Sequence, residues 1–397
     1  MRLPLVLIIP VFVIGLLVDW YIVRTVGQRC THARRFWRTF ACVTACIGAI
    51  ALLGAICMPK RSGDDDGLQF IMWLLFAYFS VYLPKYVFCL FDLIAKIPRL
   101  FRHKRIKALS VSGIAVACGL FCAMWWGALI NRYNIDVKRV EVTDSRLPAA
   151  FDGLTIAQVS DIHTGTYGSD TAFVAKLVET INSLNPDVVV FTGDIVNRHT
   201  VELLPFTGTL SRLRAPMGVY SILGNHDYGD YYNWPSASSK AENMELMYRL
   251  QRYMGWRLLR NECNWLHRGN DSIALIGVEN VGDPPFHIYG DLAASYPGDM
   301  ADDNFKILLS HNPAHWAQDI KDNPANNIAL TLSGHTHAMQ ISAFGASPAV
   351  FRYPTWGGMY ADADSLRRLY VNIGTGEVGI PARIGATPEI TLFTLRK

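Results

Sequence analysis

Charge is scarce in this chain of 397 residues: Asp, Glu, Lys and Arg make up 18%, against 51% hydrophobic residues. That balance excludes an ordinary soluble enzyme and directs attention to membrane spans. A disulfide scaffold is excluded as well. Of eight cysteines, Cys30 lies in a basic loop, and Cys42, Cys46, Cys57, Cys89, Cys118 and Cys122 lie in apolar stretches. Only Cys263 falls in the polar remainder, and one cysteine cannot staple a domain. These thiols read as small apolar residues. Basic residues are also missing where a nucleic acid would need them. Residues 1–107 carry 15 Lys+Arg against 5 Asp+Glu, while the rest carries 22 against 28 and is net −6. Proteins that bind nucleic acids present a basic face at the contact, so no such partner is expected. Internal repeats and low-complexity tracts are absent.

Long apolar runs are abundant at the start. Four segments, about 3–23, 39–58, 68–94 and 108–130, match the roughly 30 Å of hydrocarbon in a bilayer. The first has no small-x-small cleavage site after it and reads as a span rather than a signal peptide. Pro84 and Lys85 interrupt the third and Asp92 lies near its end. Lys85 is expected to snorkel to the interface. Basic loops at Arg24–Arg38 and Lys96–Lys107 flank a loop, PKRSGDDDG, that holds three aspartates. By the positive-inside rule the basic loops are cytoplasmic, which places everything after residue 133 outside the cytoplasm.

From about residue 134 short β-branched runs recur: LTIAQVS, PDVVVFT, MGVYSIL, SIALIGV, FKILLS, IALTLS, LYVNIG and EITLFTL. Ser169–Leu184 has helical spacing, capped by Ser169 or Asp170, and Glu242–Tyr253 is a second helix. Strands alternating with helices, then strands in a row, predict an α/β layered domain over residues 134–397, behind a membrane region over 1–133.

Five of these runs end in Asp, Asn or His at their carboxyl ends, where α/β sheets present their sites, and five of the eleven histidines fall among those tips. The tips read Asp161-Ile162-His163, Gly193-Asp194, Gly224-Asn225-His226-Asp227, His311-Asn312-Pro313 and Gly334-His335-Thr336-His337. Singly, each reads as a cap or a turn. Jointly they supply what a pair of divalent cations about 3.5–4 Å apart requires: a carboxylate to bridge, imidazoles for direction, and an amide oxygen that adds no negative charge. Water held between such cations loses its proton near neutral pH and becomes a nucleophile.

The order DxH, GD, GNHD, H, GHTH resembles the calcineurin-like metallophosphoesterase superfamily from about residue 135 to 397. The closing run Leu369–Leu395 is similar to the end of its bacterial membrane-associated phosphodiesterase branch, which includes relatives of the UDP-2,3-diacylglucosamine hydrolases. The resemblance implies a four-helix transmembrane region followed by a four-layer α/β/β/α sandwich with the metals at one edge of the paired sheets. Carried over residue by residue, it implies that Asp161, His163 and His337 hold a first metal. Asp194 bridges, and Asn225, His311 and His335 hold a second. His226 looks like the family's catalytic histidine, with Asp227 orienting its ring. One departure stands out: the family often shows GDxxD, and here Asn197 replaces the second Asp. That residue is not usually a ligand, and asparagine speaks against the tyrosine-bound ferric site of purple acid phosphatases. Two divalent ions, Mn²⁺, Zn²⁺ or Fe²⁺, are the expected cofactors.

Two aromatic stretches, Tyr228–Trp234 and Phe351–Tyr360, read either as a lip at the site or as hairpin packing. Arg352 and Arg383 read as phosphate clamps or as solvated arginines, and His199, His267, His287 and His315 as ordinary surface or core residues. The expected protein is a multi-pass membrane phosphoesterase acting on a small or lipid-linked phosphodiester or phosphomonoester at the outer face of the bilayer. The alternative is a membrane sensor or transporter subunit whose phosphoesterase-like domain binds metal without turnover.

Overall fold

A computed structural model describes residues 5–27, 31–57, 65–297, 304–323 and 326–397. The chain divides into two compact units, Met1–Ile130 with Gly379–Ala382, and Asn131–Val378 with Arg383–Lys397.

The first unit contains helices α1 (Leu5–Gly27), α2 (Thr31–Cys57), α3 (Asp65–Lys96) and α4 (Lys107–Leu129). Among the described residues, three helical stretches are long and apolar enough to cross a membrane: Arg35–Gly54, Gly67–Phe101 and Lys107–Tyr133. The apolar segment expected at 3–23 falls on α1, and its residues 3 and 4 lie outside the described residues. So do Cys30 and residues 60–64 of the acidic loop.

Helix α3 runs unbroken through Pro84. In apolar surroundings no water competes for the remaining helical hydrogen bonds, so one missing N–H does not break the helix. One expectation for the third segment is corrected: Lys85 does not snorkel. Its ammonium is buried, 2.6 Å from Asp19 of α1 and 2.8 Å from the Thr44 hydroxyl of α2. The Tyr82 hydroxyl donates to the same Asp19 at 2.8 Å. Asp92 collects Lys96 at 2.7 Å, the Tyr21 hydroxyl at 2.8 Å and the Ser110 hydroxyl of α4 at 2.7 Å. Charges that are costly in hydrocarbon are thus tied into contacts between helices.

The second unit is built on two six-stranded sheets. Its strands are β1 (Asp136–Thr143), β2 (Thr155–Val159), β3 (Val188–Phe191), β4 (Val219–Ser221), β5 (Arg257–Leu258) and β6 (Glu262–Arg268). They continue with β7 (Asp271–Gly277), β8 (Lys306–Leu309), β9 (Leu330–Ser333), β10 (Gly358–Ala361), β11 (Arg368–Val371) and β12 (Glu389–Arg396). The first sheet has the order β1-β12-β2-β3-β4-β5 and the second β10-β11-β9-β8-β7-β6. Within them β2-β3-β4 and β7-β8-β9 are parallel runs. Parallel strands are covered on both faces, which explains why VVVF is apolar throughout and KILL is apolar after its lysine instead of alternating.

Side-chain alternation divides β3 between two cores. Val188 and Val190 enter the cluster shared by both sheets, with Ile156, Ile222, Ile307, Leu309 and Leu332. Val189 and Phe191 enter the outer cluster under the helices. Helix α5 (Ala172–Ser183) buries Phe173, Val174, Leu177, Val178 and Ile181 there, a stripe at helical spacing worth about 1.5–3 kcal/mol per side chain. The helix Ala237–Tyr253 adds Met247. Over the second sheet, Trp316 and Ile320 of the turn Trp316–Ile320, with Leu292 of the turn Leu292–Ser295, pack on Ile276, Leu308 and Leu369. Among the described residues these short turns, not long helices, pack on the second sheet.

Candidate metal centre

The five tips end neighbouring parallel strands, so the fold gathers their side chains without long loops. β2 leads to Asp161 and His163, β3 to Asp194, and β4 to Asn225, His226 and Asp227. From the second sheet β8 leads to His311, and β9 to His335 and His337. Five of the seven expected donors have a left-handed backbone: Asp161, His163, Asp194, His335 and His337, with φ from 49° to 75°. Such strain in non-glycine residues is sparse in proteins and clusters at functional sites. Small neighbours make the approach feasible. A Cβ at Gly334 would fall on Ser160 and the Asp161 carboxylate, and one at Gly224 on the Asp194 carboxylate.

Two donor groups result. Ligand atoms of Asp161, His163 and His337 lie within 4.8 Å of one another, and so do those of Asp194, His311 and His335. Asp194 faces both: its Oδ2 is 3.6 Å from His163 Nε2 and 3.2 Å from His311 Nε2. Its Oδ1 accepts the His226 backbone N–H at 2.8 Å, which fixes the carboxylate plane. In the first group His337 Nε2 lies 3.3 Å from Asp161 Oδ1 and 3.0 Å from His163 Nε2. In the second, His311 Nε2 lies 3.2 Å from Asn225 Oδ1 and 3.3 Å from His335 Nδ1.

Backbone carbonyls set the tautomers. His163 Nδ1–H donates to Val196 O at 3.1 Å and His311 Nδ1–H to Thr192 O at 2.8 Å. Each ring therefore turns the lone pair of Nε2 inward. The Asn225 amide is oriented too, because its Nδ2 donates to the Tyr231 hydroxyl at 2.9 Å. Lone pairs of His163, Asn225, Asp161 and Asp194, joined by that of His311 once its added proton is lost, are thus crowded together. Buried acceptors facing acceptors repel unless a proton or a cation sits between them. The O and N donors present fit divalent metals.

The electrostatics point the same way. Burial, then the nearby His311, pushes His335 down to about 3. Burial likewise lowers His163 and His226. Burial also opposes charge on His311, but the Asp194 carboxylate outweighs it and lifts the ring to about 9. Burial disfavours the Asp194 anion, yet His311 and His226 hold its carboxyl well below the usual range.

His226 borders both groups. Its Nδ1–H donates to Asn197 O at 2.6 Å, which leaves Nε2 free, and its ring meets His163 edge-on at 4.8 Å. Asp227 does not orient that ring. Its carboxylate instead accepts four backbone N–H groups, from Gly224 and Asp194 at 2.8 Å on one oxygen and from Ile195 at 2.8 Å and Val196 at 3.2 Å on the other. The tight turn around Asp194 aims its amides inward, and the buried carboxylate satisfies them.

Arg383 is neither a solvated residue nor a free clamp. It is fully buried, donates to the carbonyls of Gly376, Ala386 and Ile373, and reaches to 3.2 Å from His337 Nδ1. Arg352 pairs with Asp283 at 2.5 Å. His315 is buried, 2.8 Å from the Ser310 hydroxyl. Sequence reasoning passed over Tyr231, which orients Asn225 and lies 4.3 Å from the His226 ring, and Tyr353, whose hydroxyl is 3.2 Å from His335 Nε2. The aromatic stretches that contain both were the only signal.

Comparison with known proteins gives the family. Residues 154–339 match the family described as "Calcineurin-like phosphoesterase", and residues 1–132 match "Probable Calcineurin-like phosphoesterase, transmembrane domain". A Bacillus subtilis metallophosphoesterase, YkuE, is 32% identical over 300 residues, covering 70% of this chain and 95% of its own. A bovine transmembrane protein with a metallophosphoesterase domain is 33% identical over 66% of this chain, which spans 57% of that relative's length. The UDP-2,3-diacylglucosamine pyrophosphatase LpxG of Chlamydia trachomatis is 28% identical, over 66% of this chain and 91% of its own. With its converging tips and these matches, the chain belongs to the calcineurin-like metallophosphoesterase family of metal-dependent phosphoric ester hydrolases, and carries a membrane region ahead of that domain.

Proposed function

We propose that the protein is a membrane-anchored phosphoesterase that works with two divalent cations. Asp161, His163 and His337 would hold one and Asn225, His311 and His335 the other, with Asp194 shared. The observation that carries this is the Asp194 carboxylate, one oxygen of which faces an inward-turned imidazole of each group at 3.6 Å and 3.2 Å. When bound, the cations supply Lewis-acid polarisation of the phosphoryl group and acidify water to near neutral pH.

The chain's own residues do the rest. His226, anchored through Nδ1, presents Nε2 to hydrogen-bond a phosphoryl oxygen or to protonate the departing alkoxide. Asp227 holds the Gly193-Asp194 turn in shape. Tyr231 and Tyr353 keep the Asn225 amide and the His335 ring in place.

The substrate is a phosphodiester or phosphomonoester. A lipid-linked one is supported by the membrane region and by the likeness to a pyrophosphatase of UDP-2,3-diacylglucosamine. The proposed layout is a membrane region over residues 1–133 with four spans, then the phosphoesterase domain over 134–397. Loop charge supports an extracytoplasmic domain.

The test is hydrolysis of bis-p-nitrophenyl phosphate by the chelator-treated full chain after addition of Mn²⁺, Zn²⁺ or Fe²⁺. Turnover should return with metal and disappear in Asn225→Ala and His226→Ala. A sensor with a metal-binding, non-catalytic domain is the competing reading, favoured by the ion pairs within the helical unit. It predicts metal uptake without turnover.

A further inference from the structure

Immediately after the donor His337 the chain turns outward. Met339, Ile341, Phe344, Val350 and Phe351 are all exposed, Phe344 at 108% and Phe351 at 92%. Such exposure leaves these two rings almost no contact with the rest of their unit. Yet Phe344 is held firmly in position. Ala343 and Ala346 exchange backbone hydrogen bonds of 2.9 and 3.0 Å, closing a two-residue hairpin around Phe344 and Gly345. The φ angles of the central pair are 53° and 77°. A turn with both central residues left-handed favours Asn-Gly, and a bulky residue there costs about 1–2 kcal/mol. No packing within the unit offsets that cost. A ring held in a disfavoured conformation at the point of greatest exposure is placed for something outside the fold.

The base of this hairpin shows what that is. Ile384 N–H donates to Gln340 O at 2.8 Å, and Ser342 N–H donates to Ile384 O at 2.9 Å. One residue back, Arg383 O accepts from the Asn131 side-chain amide at 2.9 Å, and the Thr387 hydroxyl donates to Asn131 Oδ1 at 3.1 Å. Asn131 directly follows Ile130, inside the apolar stretch Lys107–Tyr133 that is long enough to cross a membrane. The hairpin is thus bonded, through Ile384 and Arg383, to Asn131, the residue that opens the second unit in sequence. At its other end the lip adjoins the metal centre: Met339 is two residues past His337, and the Tyr353 hydroxyl, two residues past Phe351, is 3.2 Å from His335 Nε2. Composition completes the picture. Residues 338–351, AMQISAFGASPAVF, contain no Asp, Glu, Lys or Arg. An uncharged segment with aromatic rings at its tips suits the boundary between headgroups and acyl chains, where aromatic side chains settle and ions are disfavoured.

We infer that the Phe344–Phe351 lip beds in the interfacial layer of the bilayer and brings to the metal centre a phosphoester carried by a membrane lipid. The second half rests on the phosphoesterase reading above; the first does not. A lipid whose tails remain in the bilayer can lift its phosphate along the lip toward the donors that flank it, without leaving the membrane.

The test uses the full chain in nanodiscs of phosphatidylethanolamine and phosphatidylglycerol, with Phe344→p-benzoylphenylalanine as a photoreactive probe. The same probe at Tyr253, which is 71% exposed at the end of the helix Ala237–Tyr253, is the control. Irradiation should give lipid adducts from position 344 and none from 253. Adducts to a second copy of the chain alone, or no lipid adduct, would overturn the docking. A second arm compares wild type with F344S/F351S on two substrates, a headgroup-labelled phosphodiester lipid in the disc and soluble bis-p-nitrophenyl phosphate. The ratio of lipid to soluble turnover should fall about tenfold, as loss of a modest docking free energy implies. An unchanged ratio overturns the lipid-substrate half. If wild type turns over neither probe, the phosphoesterase reading and that half fail together, while the photoadduct still decides the docking.

Discussion

Histidine 311 shows how much a single residue can reveal. Its ring is neutral in water at pH 7, but here the Asp194 carboxylate lifts it to about 9 against the effect of burial. In the folded, metal-free protein it carries a proton that a cation must displace. The sign follows from that competition: metal affinity falls as pH drops below about 9, by up to tenfold per unit for this one ligand, and binding at pH 7 releases a proton. Calorimetry in buffers of different ionisation enthalpy reads that proton directly. The same raised pKa stabilises the metal-free fold below the unfolded value of about 6.5, and the contribution is lost as pH rises through about 9. Tyr231 is a second case. Only its hydroxyl fixes which end of the Asn225 amide faces His311. Tyr231→Phe should weaken binding at the second site about 10–100-fold and leave the first intact, as loss of a ligand's supporting hydrogen bond does. A metal titration resolving two affinities checks this, and equal weakening of both would contradict it.

At the scale of elements, sequence pattern and structure agree where one physical rule acts alone. Runs such as VVVF are legible as buried strands because apolar content and β-branching coincide, and the donors at their tips follow from chain order. Strand β1, DVKRVEVT, was not legible: its charged residues hide a strand that pairs over its whole length with β12 from the end of the chain. Helix starts were missed by a few residues for a similar reason. Ala237–Tyr253 begins five residues ahead of the expected Glu242, because the Ser236 side chain accepts from Ser239 N–H amid a serine cluster that reads as a loop. Asp227 was misread because the family pattern names the residue but not its partner, and only coordinates show four backbone amides converging on it. Lys85 was misread because its partner Asp19 lies 66 positions away. That pair gives a prediction at this scale. Lys85→Met alone leaves Asp19 buried and uncompensated and should cost about 3–5 kcal/mol, whereas D19L with K85M should be close to neutral. Thermal melting of the three proteins in one detergent compares them. Equal loss in the single and double variants would mean that the pair does not compensate itself.

For the whole molecule, the joining of a membrane region to a hydrolase domain fixes what the enzyme can reach. The excess of 15 basic residues over 5 acidic ones before residue 108 sits in the loops between apolar segments, and the later, net −6 part carries the donors. The proposal that the carboxyl terminus lies outside the cytoplasm rests on that loop charge. An alkaline phosphatase fusion after Lys397 should be active and a green fluorescent protein fusion dark; the reverse pattern would put the site in the cytosol and change the lipids available to it. The central claim, however, concerns two cations that share Asp194, and one spectrum addresses it. Electron paramagnetic resonance of the full chain loaded with Mn²⁺ should show a spin-coupled pair that gives way to isolated manganese in Asp194→Ala. Uncoupled manganese in the wild type at full loading would contradict the account.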